Sequence, residues 1–238
     1  MTSSIRWLAV GLTLCWFGCG GADRPVHHGR AVEETDEPDR SPPPIDVSAE
    51  IGAMDESAVT RVFQTGLREL QRCLDRGAKR VEFLGGSVAF FLKVDGSGRL
   101  AHVHLEQSSL GDHDTEHCMV EVLRAKTWPA PVGGKVGLVR KSFDFDPPND
   151  VREPTTWEAD RVSGVLDAKA SEIRRCKGDA SGAFSATLYV ATSGSVLAVG
   201  VTPPDERGQD AVECLVKLLR EQAFPKPGSW PAKVSFTL

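Results

Sequence analysis

The chain has 238 residues, of which 40% are apolar and six are cysteine, and its formal net charge is −5. A chain of this length and apolar content can bury more than one small core. Its charge balance excludes the basic surface that nucleic-acid binding requires, so we expect no nucleic-acid partner.

The N-terminal residues predict export from the cytoplasm. Arg6 precedes an apolar run at residues 7–17 that is too short to cross a membrane comfortably as a mature helix. The run ends in Gly18-Cys19, which resembles the acylation site of bacterial lipoproteins. We therefore predict a lipoprotein signal peptide at residues 1–18 and a lipid on Cys19. Ordinary secretion and an uncleaved anchor are the alternatives.

Residues 19–50 are rich in acidic residues and proline and offer little to bury. Such a composition cannot offset the entropy lost on ordering, so we expect a disordered tether.

The remainder of the chain is an internal duplication. The stretch from Cys118 to Pro131 recurs from Cys214 to Pro227, with the cysteine, the apolar helix positions, an aromatic residue and a Pro-x-Pro exit in the same places. Gly98 and Gly194 each stand twenty residues before the cysteine of their copy. This self-similarity indicates two related domains.

Each copy predicts the order helix, strand, strand, helix, strand. In the first copy, apolar residues recur at spacings of three and four from Asp55 to Leu74, and alternation from Val88 to Val94 leads through a turn at Gly98 into a second strand. We therefore predict an α+β fold with two tandem αββαβ domains. Each domain has a three-stranded antiparallel sheet with two helices on one face. The predicted domains are residues 51–146 and 157–238, joined by a polar hinge at 147–156.

Four cysteines lie in the duplicated region, two in each copy at matching positions. If both helices cover one face of the sheet, the cysteines that they carry approach each other. We predict the disulfides Cys73–Cys118 and Cys176–Cys214 and an oxidising compartment, with buried free thiols as the alternative. Redox catalysis is disfavoured because neither pair has the Cys-x-x-Cys spacing.

The first copy carries four histidines that the second copy lacks. His113 and His117 are four residues apart on a helix, and His102 and His104 are two apart on a strand; either spacing suits zinc. The strand pair is expected on the sheet face opposite the helices, so the four side chains are not expected to converge. We predict solvated surface histidines, with a weak or intermolecular metal site as the alternative.

Catalytic and nucleotide-binding motifs are not evident in the sequence. The glycine-rich stretches at 85–87 and 96–98 lead into a strand and a hairpin, whereas a phosphate-binding loop opens a helix. We therefore expect no enzyme activity and no cofactor. Phe91 and Tyr189, near the solvent side of their strands, are the better candidates for a contact surface.

The assembled pattern has a helix that ends in Arg-Cys, then Gly-x-Val-x-Phe-x-Leu-x-Val-x-Gly-x-Gly, then a cysteine helix that runs into Trp-Pro-x-Pro. It resembles the AgmX/PglI C-terminal domain family, over nearly all of residues 55–146 and, in diverged form, 157–238. The resemblance implies a TonB- or TolA-like fold and a place in envelope complexes, some of them connected with gliding motility. It implies no catalytic residues.

We therefore expect a non-enzymatic lipoprotein on the periplasmic face of the outer membrane. Its expected partners are other envelope proteins, bound through an exposed strand edge, and the membrane, bound through the N-terminal lipid. The alternative is a periplasmic protein that binds a small ligand or metal through the histidines of the first copy.

Overall fold

The computed structural model describes residues 49–147 and 150–238. The predicted signal peptide, the lipidation site Cys19 and the tether up to residue 48 lie outside the described residues. Within them the fold is α+β, with two four-stranded mixed sheets, five α-helices and one 3-10 helix. None of the described helices combines the length and apolar character needed to cross a membrane.

The first repeat begins with a short strand and a long helix. The helix starts where the Asp55 carboxylate accepts a hydrogen bond from the Ala58 amide, and Glu56 and Arg76 complement the helix dipole at its two ends. The elements are β1 (Ala49–Gly52), α1 (Glu56–Ala78), β2 (Gly86–Asp95), β3 (Leu100–Ser108), α2 (His113–Arg124) and β4 (Gly134–Phe145).

The sheet of the first repeat has four strands in the order β1-β4-β2-β3, so the prediction of three strands was wrong. The predicted strands are antiparallel, as expected, but β1 adds to the outer side of β4 in parallel. Its four residues, Ala-Glu-Ile-Gly, are too few for their alternation to mark a strand. The strand exists because β4 offers it backbone partners at Gly134, Val136 and Gly137.

The second repeat has the same strand order, β5-β8-β6-β7. Its first helix is divided at Lys169, where the backbone leaves the helical region, and a 3-10 helix, Glu206–Ala211, precedes its last α-helix. The elements are β5 (Thr155–Trp157), α3 (Asp160–Ala168), α4 (Ala170–Lys177), β6 (Ser185–Val190), β7 (Val196–Thr202), α5 (Val212–Arg220) and β8 (Ala232–Thr237).

Each repeat has its own apolar core, formed by its helices and one face of its sheet. In the first repeat the predicted inward residues of β2 are all buried: Val88, Phe90, Leu92 and Val94. They pack with Phe63 of α1 and Met119 of α2 among others. In the second repeat Leu188 and Val190 pack in the same way against Leu215 and Leu219 of α5.

The predicted disulfides, Cys73–Cys118 and Cys176–Cys214, are both present in the structure. The first joins α1 to α2 and the second joins α4 to α5, so each disulfide ties two helices of its repeat together. The Arg76 guanidinium lies against the first bridge and contacts both of its sulfur atoms.

Candidate functional site

The two repeats pack against each other through the sheet face of the second repeat that its own helices leave uncovered. Tyr189 on β6 is fully buried there and joins the core of the first repeat. Its ring lies 5.5 Å from that of Phe83, and its hydroxyl donates to the Gly85 carbonyl at 3.2 Å. Tyr189 is therefore a contact residue, but its contact lies within the chain.

Lys233 on β8 reinforces the same contact. Its ammonium donates to the Gly85 carbonyl at 2.7 Å and lies over the Tyr189 ring. Burial lowers the pKa of Lys233 to about 8, because the charged form loses hydration that one carbonyl and one ring only partly replace.

A buried carboxylate fills a notch between the repeats. Glu116, near the start of α2, accepts hydrogen bonds from the Ser108 hydroxyl at 2.6 Å and the Gly111 amide at 3.2 Å. Its carboxylate lies against Gly200 of β7, where a Cβ atom would collide with both of its oxygens. Burial raises the pKa of Glu116, and the two hydrogen bonds oppose that rise.

The strand histidines are less exposed than the sequence predicts. His104 is only 5% exposed and His102 is half-buried, so the prediction of solvated side chains was wrong for this pair. The two rings contact each other, with His102 Nε2 and His104 Nδ1 2.9 Å apart, and His102 Nδ1 lies 3.5 Å from Glu206 Oε1 in the second repeat. Burial lowers the pKa of both imidazoles.

The helix histidines lie at a different part of the boundary between the repeats. His113 is half-buried, so the prediction of a solvated side chain was wrong for it too, whereas His117 is exposed as expected. The His113 Nε2 is 2.7 Å from Glu213 Oε1 of α5. Nearby, Arg220 of α5 lies 3.6 Å from the carboxylate of Asp114. Both histidine pairs thus meet a glutamate of the second repeat, and the expectation that they form two separate groups agrees with these contacts.

An open strand edge and a groove lie along β4 of the first repeat. β4 pairs with β2 along residues 136–145 but with β1 only as far as Gly137, so residues 138–145 have no described strand on their outer side. Beside this edge is a groove of about 420 Å³ between β4 and the start of α1. Its apolar lining includes Met54, Val59, Phe63 and Leu138.

The open edge carries positive charge. Arg140 and Lys141 are exposed in its middle, and the Arg140 guanidinium stacks over the Phe91 ring at 4.7 Å while pairing with Glu106 at 3.0 Å. Charged side chains on an exposed edge discourage unspecific pairing with other strands.

Within residues 49–147 and 150–238, no group of three His, Cys, Asp or Glu side chains is arranged, in its present conformation, to hold one metal ion.

A comparison with protein-family models found none that matches, and comparisons with curated proteins and with solved structures likewise found no match. The resemblance to the AgmX/PglI family therefore stays a prediction from the sequence pattern.

Proposed function

We propose that this chain is a non-enzymatic cell-envelope lipoprotein whose tandem repeats form a protein-interaction module. The observation that carries this proposal is the open edge of β4 at residues 138–145 beside its apolar groove. Strand addition to such an edge supplies backbone hydrogen bonds, and the adjacent groove selects side chains of the partner.

Two other observations support an envelope location for the module. The paired cysteines of both repeats form disulfides, which persist in oxidising compartments such as the periplasm. The sequence of the first 19 residues resembles a lipoprotein signal with its acylation site. We therefore place the protein on the periplasmic face of the outer membrane, held by a lipid on Cys19.

The charge of the edge indicates the chemistry of the partner. An extended segment would align its backbone with β4, place acidic side chains against Arg140 and Lys141, and insert an apolar side chain between Val59 and Leu138. The partner is then an envelope protein with an exposed acidic and apolar segment, within a complex of the TonB/TolA or gliding-motility type.

Site-specific cross-linking in the native envelope tests the proposal. A photo-reactive residue at position 141 should cross-link one specific envelope protein, whereas the same residue at position 72, exposed on α1, should not. Lys141→Glu should lower the capture of that protein severalfold, and the matched variant Arg72→Glu should leave it unchanged. Equal cross-linking from both positions, or none from position 141, would refute the proposal.

A further inference from the structure

Three metal-ligating side chains face one groove between the repeats. His113 Nε2 and Glu213 Oε1 are 2.7 Å apart, and the rings of His113 and His117 have centroids 6.1 Å apart. All three residues line two adjoining cavities of about 340 and 470 Å³. Donor groups from α2 of the first repeat and α5 of the second therefore share the same space.

The chemistry of these donors suits a transition-metal ion. Histidines at positions i and i+4 lie on one face of a helix, and this spacing lets two imidazoles bind one zinc ion. Two histidines and one carboxylate with an open fourth position form a known ligand set for Zn²⁺. We propose that His113, His117 and Glu213 bind a divalent transition-metal ion, with Zn²⁺ as the best fit.

The His113–Glu213 pair needs only a small movement to form this site, whereas the His117 ring, now stacked on that of His113, must turn toward the metal. Two ligands of a tetrahedral zinc ion lie roughly 3.3 Å apart, so the His113–Glu213 contact must open by about 0.6 Å. The Glu213 side chain is 78% exposed and free to move by that amount. His117 is exposed, and no side-chain hydrogen bond within the described part of the chain holds its ring. Exposed side chains change rotamer within nanoseconds, so the metal can gather them.

The surrounding charges permit a dication. The same two cavities are lined by the basic residues Arg124, Lys217 and Arg220, and Arg220 is engaged by Asp114. The acidic residues that line them are more numerous: Asp114, Glu116, Asp210, Glu213 and Glu221.

A metal at this position would fasten the two repeats together. Its ligands come from both repeats, so it binds only the docked arrangement and stabilises that arrangement by mass action. This role is separate from the strand edge of the proposed function, which lies on β4.

Calorimetric titration with Zn²⁺ alone tests the inference. The purified full chain is used with Cys15 and Cys19 alkylated, and His27 and His28 are kept in every variant. The wild type should bind zinc at this site, and His117→Ala and Glu213→Gln should each weaken that binding at least about tenfold. The control His102→Ala removes a histidine of the other pair, which contacts Glu206, and should bind as the wild type does.

Equal zinc affinity in the wild type and His117→Ala, or no zinc binding by the wild type, would overturn the inference. A loss of zinc affinity in His102→Ala as large as that in His117→Ala would also overturn the inference, because the bound metal would then not be specific to the proposed site. Circular dichroism of each variant shows that the fold is kept. Since His117 is exposed, its replacement is not expected to disturb packing.

Discussion

Gly200 is the residue whose small size lets the two repeats meet. In the first repeat the equivalent position is His104, since the duplicated hairpins are offset by 96 residues, as Gly98 and Gly194 show. The missing side chain at Gly200 leaves room for the carboxylate of Glu116, which Ser108 and Gly111 hold in place. Gly200 is thus one of the positions at which the two related strands differ and the repeats make contact.

Replacing Gly200 with alanine should therefore loosen the docking of the repeats. The new methyl group would force the buried carboxylate away from its hydrogen-bond donors, and we expect a loss of about 1–3 kcal/mol in the free energy of unfolding. Urea denaturation measures this loss.

Gly164→Ala is the matched control for this substitution. Gly164 lies exposed on α3 with no neighbouring atom in the way of a Cβ, so alanine there should stabilise the protein by up to about 1 kcal/mol. Unchanged stability in Gly200→Ala would show that the close contact between Gly200 and the Glu116 carboxylate does not stabilise the docking of the repeats.

His104 makes the stability of the protein depend on pH. Burial lowers the pKa of His104 in the folded chain, so the unfolded chain binds the proton first as the pH falls below about 6.5. The stability that His104 contributes is present above that pH and is lost as the pH falls through the folded-state pKa.

His104→Gln should therefore flatten the pH dependence of unfolding between pH 8 and pH 5. The wild type should lose more free energy of unfolding over this range than the variant. Glu116 acts in the opposite sense because its pKa is raised, but it is present in both proteins and cancels in the comparison. Parallel pH profiles would show that His104 is not buried as described.

At the scale of elements, the disulfides hold the helices of each repeat together. They close loops with sequence separations of 45 and 38 residues. In the chain-entropy model each bridge stabilises the fold by about 4 kcal/mol, mainly by restricting the unfolded chain.

The double variant Cys73→Ala/Cys118→Ala should lose about that amount in urea denaturation. A reductant should destabilise the wild type in the same direction and should leave a variant without all four bridge cysteines unchanged. If the reductant has no effect on the wild type, the bridges do not stabilise the protein.

The sequence predicts well those elements whose pattern arises within one repeat. The alternation of β2, the helical periodicity of α1 and the matching cysteine positions depend on each repeat's own core, and the structure confirms them. β1 was not predicted, because a strand of four residues is too short to show a reliable alternation of apolar and polar residues. Its stability comes from its pairing with β4. We find no residue near Lys169 that marks the division of α3 from α4.

Features that arise between the repeats could not be predicted in the same way. Alternation places Tyr189 and His104 on the outer face of their strands, which is correct within each repeat. Both are buried because the other repeat covers them, and no local pattern encodes that contact. The contact of His113 with Glu213 is likewise a product of docking.

At the scale of the whole molecule, the duplication has produced two unequal copies. The outer sheet face of the second repeat packs against the first through Tyr189 and Gly200, whereas the equivalent positions in the first repeat are Lys93 and His104. The second repeat thus covers part of the first, and the first repeat keeps an open, charged strand edge on β4. This division of roles fits the proposed envelope interaction module.

We propose that this lipid-anchored, disulfide-bonded module works in the cell envelope. Non-reducing peptide mass spectrometry of the protein from native envelope membranes tests it most directly. We predict an acylated Cys19 at the mature N-terminus, Cys73 linked to Cys118, and Cys176 linked to Cys214. Free thiols together with an intact N-terminus would contradict the claim.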